Sequence, residues 1–199
     1  MDNKLSLIEG SKLVKLARKS ISYSMATGTN YSEKPPNKKM IELRGVFVTL
    51  NSFPDGNLRG CIGLPYPIKP LWSAVSEAAV SAATRDPRFE PLKASELENI
   101  SIEVSVLTVP EKVKKYGMLE AIKIGEHGLI VRKGFQSGLL LPQVATEFGW
   151  GKETFLEQTC KKAGLFGKAW KQDDCEIEIF SAQIFKETEP KGKIIEEKN

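Results

Sequence analysis

The stretch Ile100 to Val109 (ISIEVSVLTV) alternates between apolar and polar side chains with a period of two. Such a segment belongs in a sheet, because a helix with one buried face repeats every 3.6 residues. Ile100, Ile102, Val104 and Val106 are expected to face inward and Ser101, Glu103 and Ser105 outward, the pattern of an antiparallel strand with one wet face. A hairpin stands upstream. Leu43 to Leu50 (LRGVFVTL) reads as a β-branched strand, Phe53-Pro54-Asp55-Gly56-Asn57 as a tight turn, and Leu58 as the start of the second arm. Cys175, Ile177 and Ile179 open a last alternating strand, expected to run to about Phe185 with a frayed charged tail beyond it.

Helices fill much of the remainder. Leu13, Leu16, Ala17 and Ile21 form an apolar stripe within Leu5 to Met25. Pro70 opens an alanine-rich helix carrying Leu71, Val75, Ala78, Ala79, Ala82 and Ala83. It must end near Asp86, because the residue before Pro87 disfavours the α region. Leu129 to Val131 and Leu139 to Leu141 read as short strands, and 142–148 and 152–163 as helices, the latter closed by Gly164. Strands arrive in hairpins and mixed order, not as repeated βα units. The class is therefore α+β, an antiparallel sheet flanked by helices.

Composition narrows the setting. The 199 residues are 41% hydrophobic and 27% charged, as in a soluble globular protein. No apolar run is long enough for a membrane span, and the N-terminus lacks a secretion signal. Three cysteines without CxxC spacing fit a reducing compartment, and a cytoplasmic location is expected. The net charge of +4 is spread over lysines such as Lys34, Lys112 and Lys161, so nucleic acid is not the expected partner. One histidine and three cysteines offer poor zinc spacing, and an iron–sulfur cluster needs four cysteines; no metal is expected. Nothing in the residues names a cofactor.

The chemistry concentrates in Leu58-Arg59-Gly60-Cys61-Ile62-Gly63. Strand parity puts Leu58, Gly60 and Ile62 on one face, expected to be the core face, and Arg59, Cys61 and Gly63 on the other. Arg59 beside Cys61 would lower the thiol pKa, while Gly60 and Gly63 would expose backbone N–H groups to a ligand. The alternative is a buried cysteine beside glycines that mark a bulge or close packing. His127, between Gly125 and Gly128, is suited to acid–base work and could activate the thiol. Arg85-Asp86-Pro87-Arg88-Phe89 could clamp an anion, or could simply end the helix with a surface ion pair. Glu103 could act as a base or stay a solvated carboxylate.

The same hexapeptide resembles the signature of the AMMECR family, named after a human deletion region that involves Alport syndrome and elliptocytosis. Further blocks resemble the family in order: Gly45 to Leu50, Asp86 to Phe89, Glu103 to Leu107, Gly125 to Leu129, Leu140 to Val144 and Cys160 to Leu165. The resemblance covers about Leu5 to Phe185. It implies a single AMMECR-type domain over 1–199 with two unequal parts and a cleft between them. The larger part would be about 1–115 plus 145–199, and the smaller, β-containing part about 116–144. Prokaryotic members are often encoded beside a radical SAM protein and a Memo-like protein, which implies those pathway partners. The resemblance supplies no reaction. The expectation is a small cytosolic enzyme or substrate-handling protein. Cys61 and His127 would be catalytic, and Arg59, Gly60, Gly63, Arg85, Asp86 and Arg88 would hold a small anionic ligand. The alternative is a non-catalytic interaction or regulatory module.

Overall fold

The computed structural model describes residues 4–197. In chain order the elements are α1 (Leu7–Thr27), β1 (Val46–Ser52), β2 (Leu58–Leu64), α2 (Leu71–Thr84), β3 (Ile100–Leu107), β4 (Glu111–Lys112) and α3 (Met118–Ala121). They continue with β5 (Gly128–Lys133), β6 (Gln136–Leu140), α4 (Pro142–Glu147), α5 (Lys152–Lys162), β7 (Glu176–Phe180), β8 (Ala182–Glu187) and β9 (Ile194–Glu197). The fold is α+β, with two antiparallel sheets flanked by helices. One sheet has the order β2-β1-β3-β8-β9 and the other β4-β7-β5-β6. Among the described residues no helix is long and apolar enough to cross a membrane.

The chain divides into two compact units. The first runs to Leu107 and resumes at Gln183; the second is Thr108–Ala182. The second unit thus extends well past residue 144. Ala145, Phe155, Leu156 and Cys160, from the helices after β6, are buried in one core with Leu129, Val131 and Ile177. Apolar helix faces go where their partners are, and here those partners are β5 and β6.

In the first unit the alternation in β3 is realised against β1. Val46, Val48 and Leu50 pair with Val106, Val104 and Ile102, and all six are buried. Ser105 departs from the expected wet face and is 1% exposed. The apolar faces of α1 and α2 complete this core with Leu13, Leu16, Ile21, Val75 and Ala79. Ser6 caps α1 through the N–H of Glu9, whose carboxylate accepts the N–H of Ser6 in return.

Two expectations for the C-terminal segment change. The strand from Cys175 to Phe185 is broken at Ser181, which exchanges hydrogen bonds with Thr108: its N–H goes to Thr108 Oγ1, and its carbonyl accepts the Thr108 N–H. β7 and β8 consequently lie in different sheets. The charged tail also pairs rather than fraying, with Lys186 opposite Ile195 and Glu187 opposite Ile194.

Glu187 explains why this end is held. Its carboxylate accepts Arg18 Nε at 2.8 Å and Arg18 Nη2, and also the Ile102 N–H at 3.1 Å. Arg18 in turn donates to the carbonyls of Leu97 and Ile100. One buried ion pair therefore ties α1, β3 and β8. Glu187→Ala, by stranding a buried guanidinium, should cost about 3 kcal/mol or more in a urea unfolding experiment. A loss below about 1 kcal/mol would show that the pair is not a fastening.

Candidate functional site

β2 is the edge strand of the first sheet, and its hydrogen-bonding pattern is unusual at Cys61. Thr49 lies opposite Cys61 on β1, and Glu103 lies opposite Thr49 on β3. The three side chains therefore stand in a row across one sheet face, the face opposite the buried Val48 and Val104 and the half-buried Ile62. Cys61 uses its backbone groups on the outer side of the strand. Its N–H donates to Asp86 Oδ2 at 2.8 Å, and its carbonyl accepts Arg88 Nη2 at 3.3 Å. An edge strand would otherwise leave those groups to solvent or to another chain.

Asp86 is the centre of this clamp. Its carboxylate is buried, with 2% of the side chain exposed. It accepts Arg88 Nε at 2.9 Å, Arg88 Nη2 at 2.7 Å, the Arg88 N–H at 3.1 Å and the Cys61 N–H. Arg88 beside it, helped by the two backbone N–H groups, holds the carboxyl well below the ordinary carboxylate range. The chain reaches this geometry because α2 stops at Thr84, just ahead of Pro87, and the Asp-Pro-Arg turn then doubles back on itself.

The thiol itself is half-buried, and Thr49 Oγ1 donates to its sulfur at 3.3 Å. Burial pushes the Cys61 thiol above its ordinary value; Thr49 and Arg88 pull it part of the way back, while Glu103 and Asp86 push it further up. This overturns the expected depression by Arg59. Leu50 pairs with Gly60 but Asn51 pairs with Leu58, so Arg59 is the extra residue of a β-bulge. Its guanidinium leaves the row for Glu96, at 2.8 and 3.1 Å, and for the carbonyl of Glu90. The same slip turns Leu58 off the core face, leaving it 40% exposed.

Gly60 and Gly63 both sit where a side chain would not fit. A Cβ on Gly60 would lie 2.2 Å from the Ala82 carbonyl oxygen of α2, and one on Gly63 would meet the Phe47 ring at 2.2 Å. Arg85 lines a groove with α1, α2 and Tyr31 whose walls include none of Cys61, Asp86 and Arg88. His127 belongs to the second unit. Its Nδ1 accepts the Lys123 N–H at 3.3 Å, closing a turn in which Gly125 takes φ +82°. The structure thus brings together Cys61, Asp86 and Arg88, and adds Thr49, which the sequence reading passed over.

Cys160 and Cys175 form the contrast. Both are buried in the second unit's core, in thiol–thiol contact, and burial pushes both up, Cys160 to about 11.

A profile of the AMMECR1 family matches residues 14–185. The chain belongs to the AMMECR1 family. Among its relatives, a protein of Methanopyrus kandleri is 54% identical over 202 residues, covering 98% of this chain and 97% of its own. A protein of Methanocaldococcus jannaschii is 48% identical over 197 residues, covering 98% of each. The crystal structure of an uncharacterized protein from Pyrococcus horikoshii superposes with a TM-score of 0.91 at 44% identity, covering 96% of this chain and 98% of that one. The hexapeptide Leu58 to Gly63 is, in this chain, the clamped edge strand with its bulge at Arg59.

Asp86→Ala should cost about 2–4 kcal/mol at neutral pH, measured by urea unfolding. Because the folded-state carboxyl titrates below its ordinary value of 3.8, its contribution is complete above that value. It is lost as pH falls through that value toward the folded one. The gap between native chain and variant should therefore shrink below about pH 4. A gap independent of pH would contradict the clamp.

Proposed function

We propose that this AMMECR1 protein is a substrate-handling protein whose working group is the Cys61 thiol, held on the β2 edge beside Thr49, Glu103 and Arg88. The observation that supports this reading most is the clamp. An ion pair grips both backbone polar groups of one cysteine and fixes where its side chain points, which is how a reacting atom is held in register with a bound partner.

The roles follow from chemistry. Cys61 rests as a neutral thiol, because burial outweighs the help from Thr49 and Arg88. A neutral thiol waits for a base, and Glu103, in the same row, is the carboxylate suited to take its proton. Thr49 donates to the sulfur and stabilises the thiolate as it forms. Arg88 is 54% exposed although Asp86 engages it, so a ligand carboxylate or phosphate can share it. The reading rests on residues of the first unit and uses no step through His127. A radical SAM protein and a Memo-like protein, the neighbours implied by the family, would supply or consume the ligand.

Alkylation by iodoacetamide tests this reading. Cys61 should react at least tenfold faster than Cys160 and Cys175, with a rate still rising with pH above the ordinary thiol value of about 8.5. Glu103→Gln removes a neighbouring negative charge, so the pH profile of Cys61 should shift down. Thr49→Val removes a stabilising donor, so it should shift up. Labelling of Cys61 no faster than the buried pair, or no shift in either variant, would sink the proposal.

A further inference from the structure

A concave region lies in the first unit, away from the Cys61 row. It is a groove of about 390 Å³ between α1, the extended segment 30–33 and the outward face of α2. On α2 and its C-cap the lining residues Ser73, Ser76, Glu77, Val80, Ser81 and Arg85 recur at spacings of one, three or four, so the groove follows the helix face for about 18 Å. Its apolar floor comes from Leu16, Trp72 and Val80.

The walls are held in place by bonds that run beneath the groove. Trp72 Nε1 donates to the Glu33 carbonyl at 3.1 Å, and Ser76 Oγ reaches the Tyr31 carbonyl at 3.5 Å. Ser76 also bonds Ser20, which is wholly buried. These contacts pin segment 30–33 against α2, so the groove is formed in advance.

The polar groups facing it have unused capacity. The side chains of Asn30, Ser32, Ser73 and Ser81 have no partner within the chain among the described residues, and neither does the Arg85 guanidinium. The two carboxylates in the lining are each answered by a lysine: Glu33 by Lys19 at 3.4 Å, and Glu77 by Lys69. Arg85 therefore contributes the one uncompensated charge of the lining, at the end where α2 finishes.

Hydroxyl and amide groups both donate and accept, so they suit a ligand made of hydroxyls. A paired carboxylate can still accept from a ligand hydroxyl. A lone guanidinium suits a dianionic oxygen group, which it can grip with two parallel N–H bonds. We infer that this groove binds a phosphorylated polyol of sugar-phosphate size, with the phosphate on Arg85 and the hydroxyls along Ser81, Ser73 and segment 30–33.

Titration of the full chain with ribose 5-phosphate, followed by backbone amide NMR shifts, tests the assignment. Inorganic phosphate and ribose serve as separate arms. Saturable binding of ribose 5-phosphate should perturb the amides of Ser32, Ser76 and Arg85 and be at least tenfold tighter than either arm. Arg85→Gln should weaken it at least tenfold. Ser81→Val, which leaves every charge in place, should weaken it severalfold. Iodoacetamide labelling of Cys61 should be unchanged in both variants, which separates this inference from the thiol reading. Absence of saturable binding, equal affinity for inorganic phosphate alone, or undiminished binding by a folded Arg85→Gln chain would each overturn it.

Discussion

The buried carboxylate of Asp86 governs the outer edge of the first sheet. Among the described residues β2 has β1 on one side and no strand on the other, and Cys61 turns its N–H and carbonyl to the open side. Without a partner there, the two groups would be left to water, or the edge would invite another strand. Asp86 and Arg88 act as a side-chain substitute for that strand. Because the same pair sits between the end of α2 and the edge of β2, the position of the thiol and the end of the helix are set together. The close approach of Gly60 to the Ala82 carbonyl belongs to the same arrangement, since α2 can come this near only over a strand residue without a side chain.

The clamp also separates two properties that a reading of the hexapeptide tends to merge. Positioning and activation are different things. Cys61 is well positioned, yet its surroundings favour the neutral thiol: burial and two carboxylates oppose one hydroxyl and one guanidinium that is already paired. A group of this kind acts only once a base takes its proton. It is not a reactive thiolate at rest.

Much of this was legible from the chain. The alternation in Ile100 to Val106, the stripe on α1 and the alanine-rich face of α2 each specify one face of one element, and the buried residues match them. The failures are equally specific. A β-bulge at Arg59 shifts parity by one, and period-two counting has no means of seeing it, so it puts Leu58 on the wrong face and misses that Arg59 turns to Glu96. Thr49 was missed because its importance lies in register: it sits opposite Cys61 only once the turn between the arms is known. The dipeptide spacing of Asp86 and Arg88 was visible, but a carboxylate that grips a backbone N–H twenty-five residues away is a tertiary event. Arg85 is next to Asp86 in sequence yet lines a groove that Asp86 does not reach.

Amide hydrogen exchange at Cys61 tests the account most directly. Its N–H has no partner on β1 and is held by Asp86 alone. In the native chain it should be protected to within about tenfold of central-strand amides such as that of Val48, and Asp86→Ala should release it while the Val48 amide stays protected. A Cys61 amide that exchanges in the native chain as fast as an open edge would contradict the clamp and the positioned thiol that depends on it.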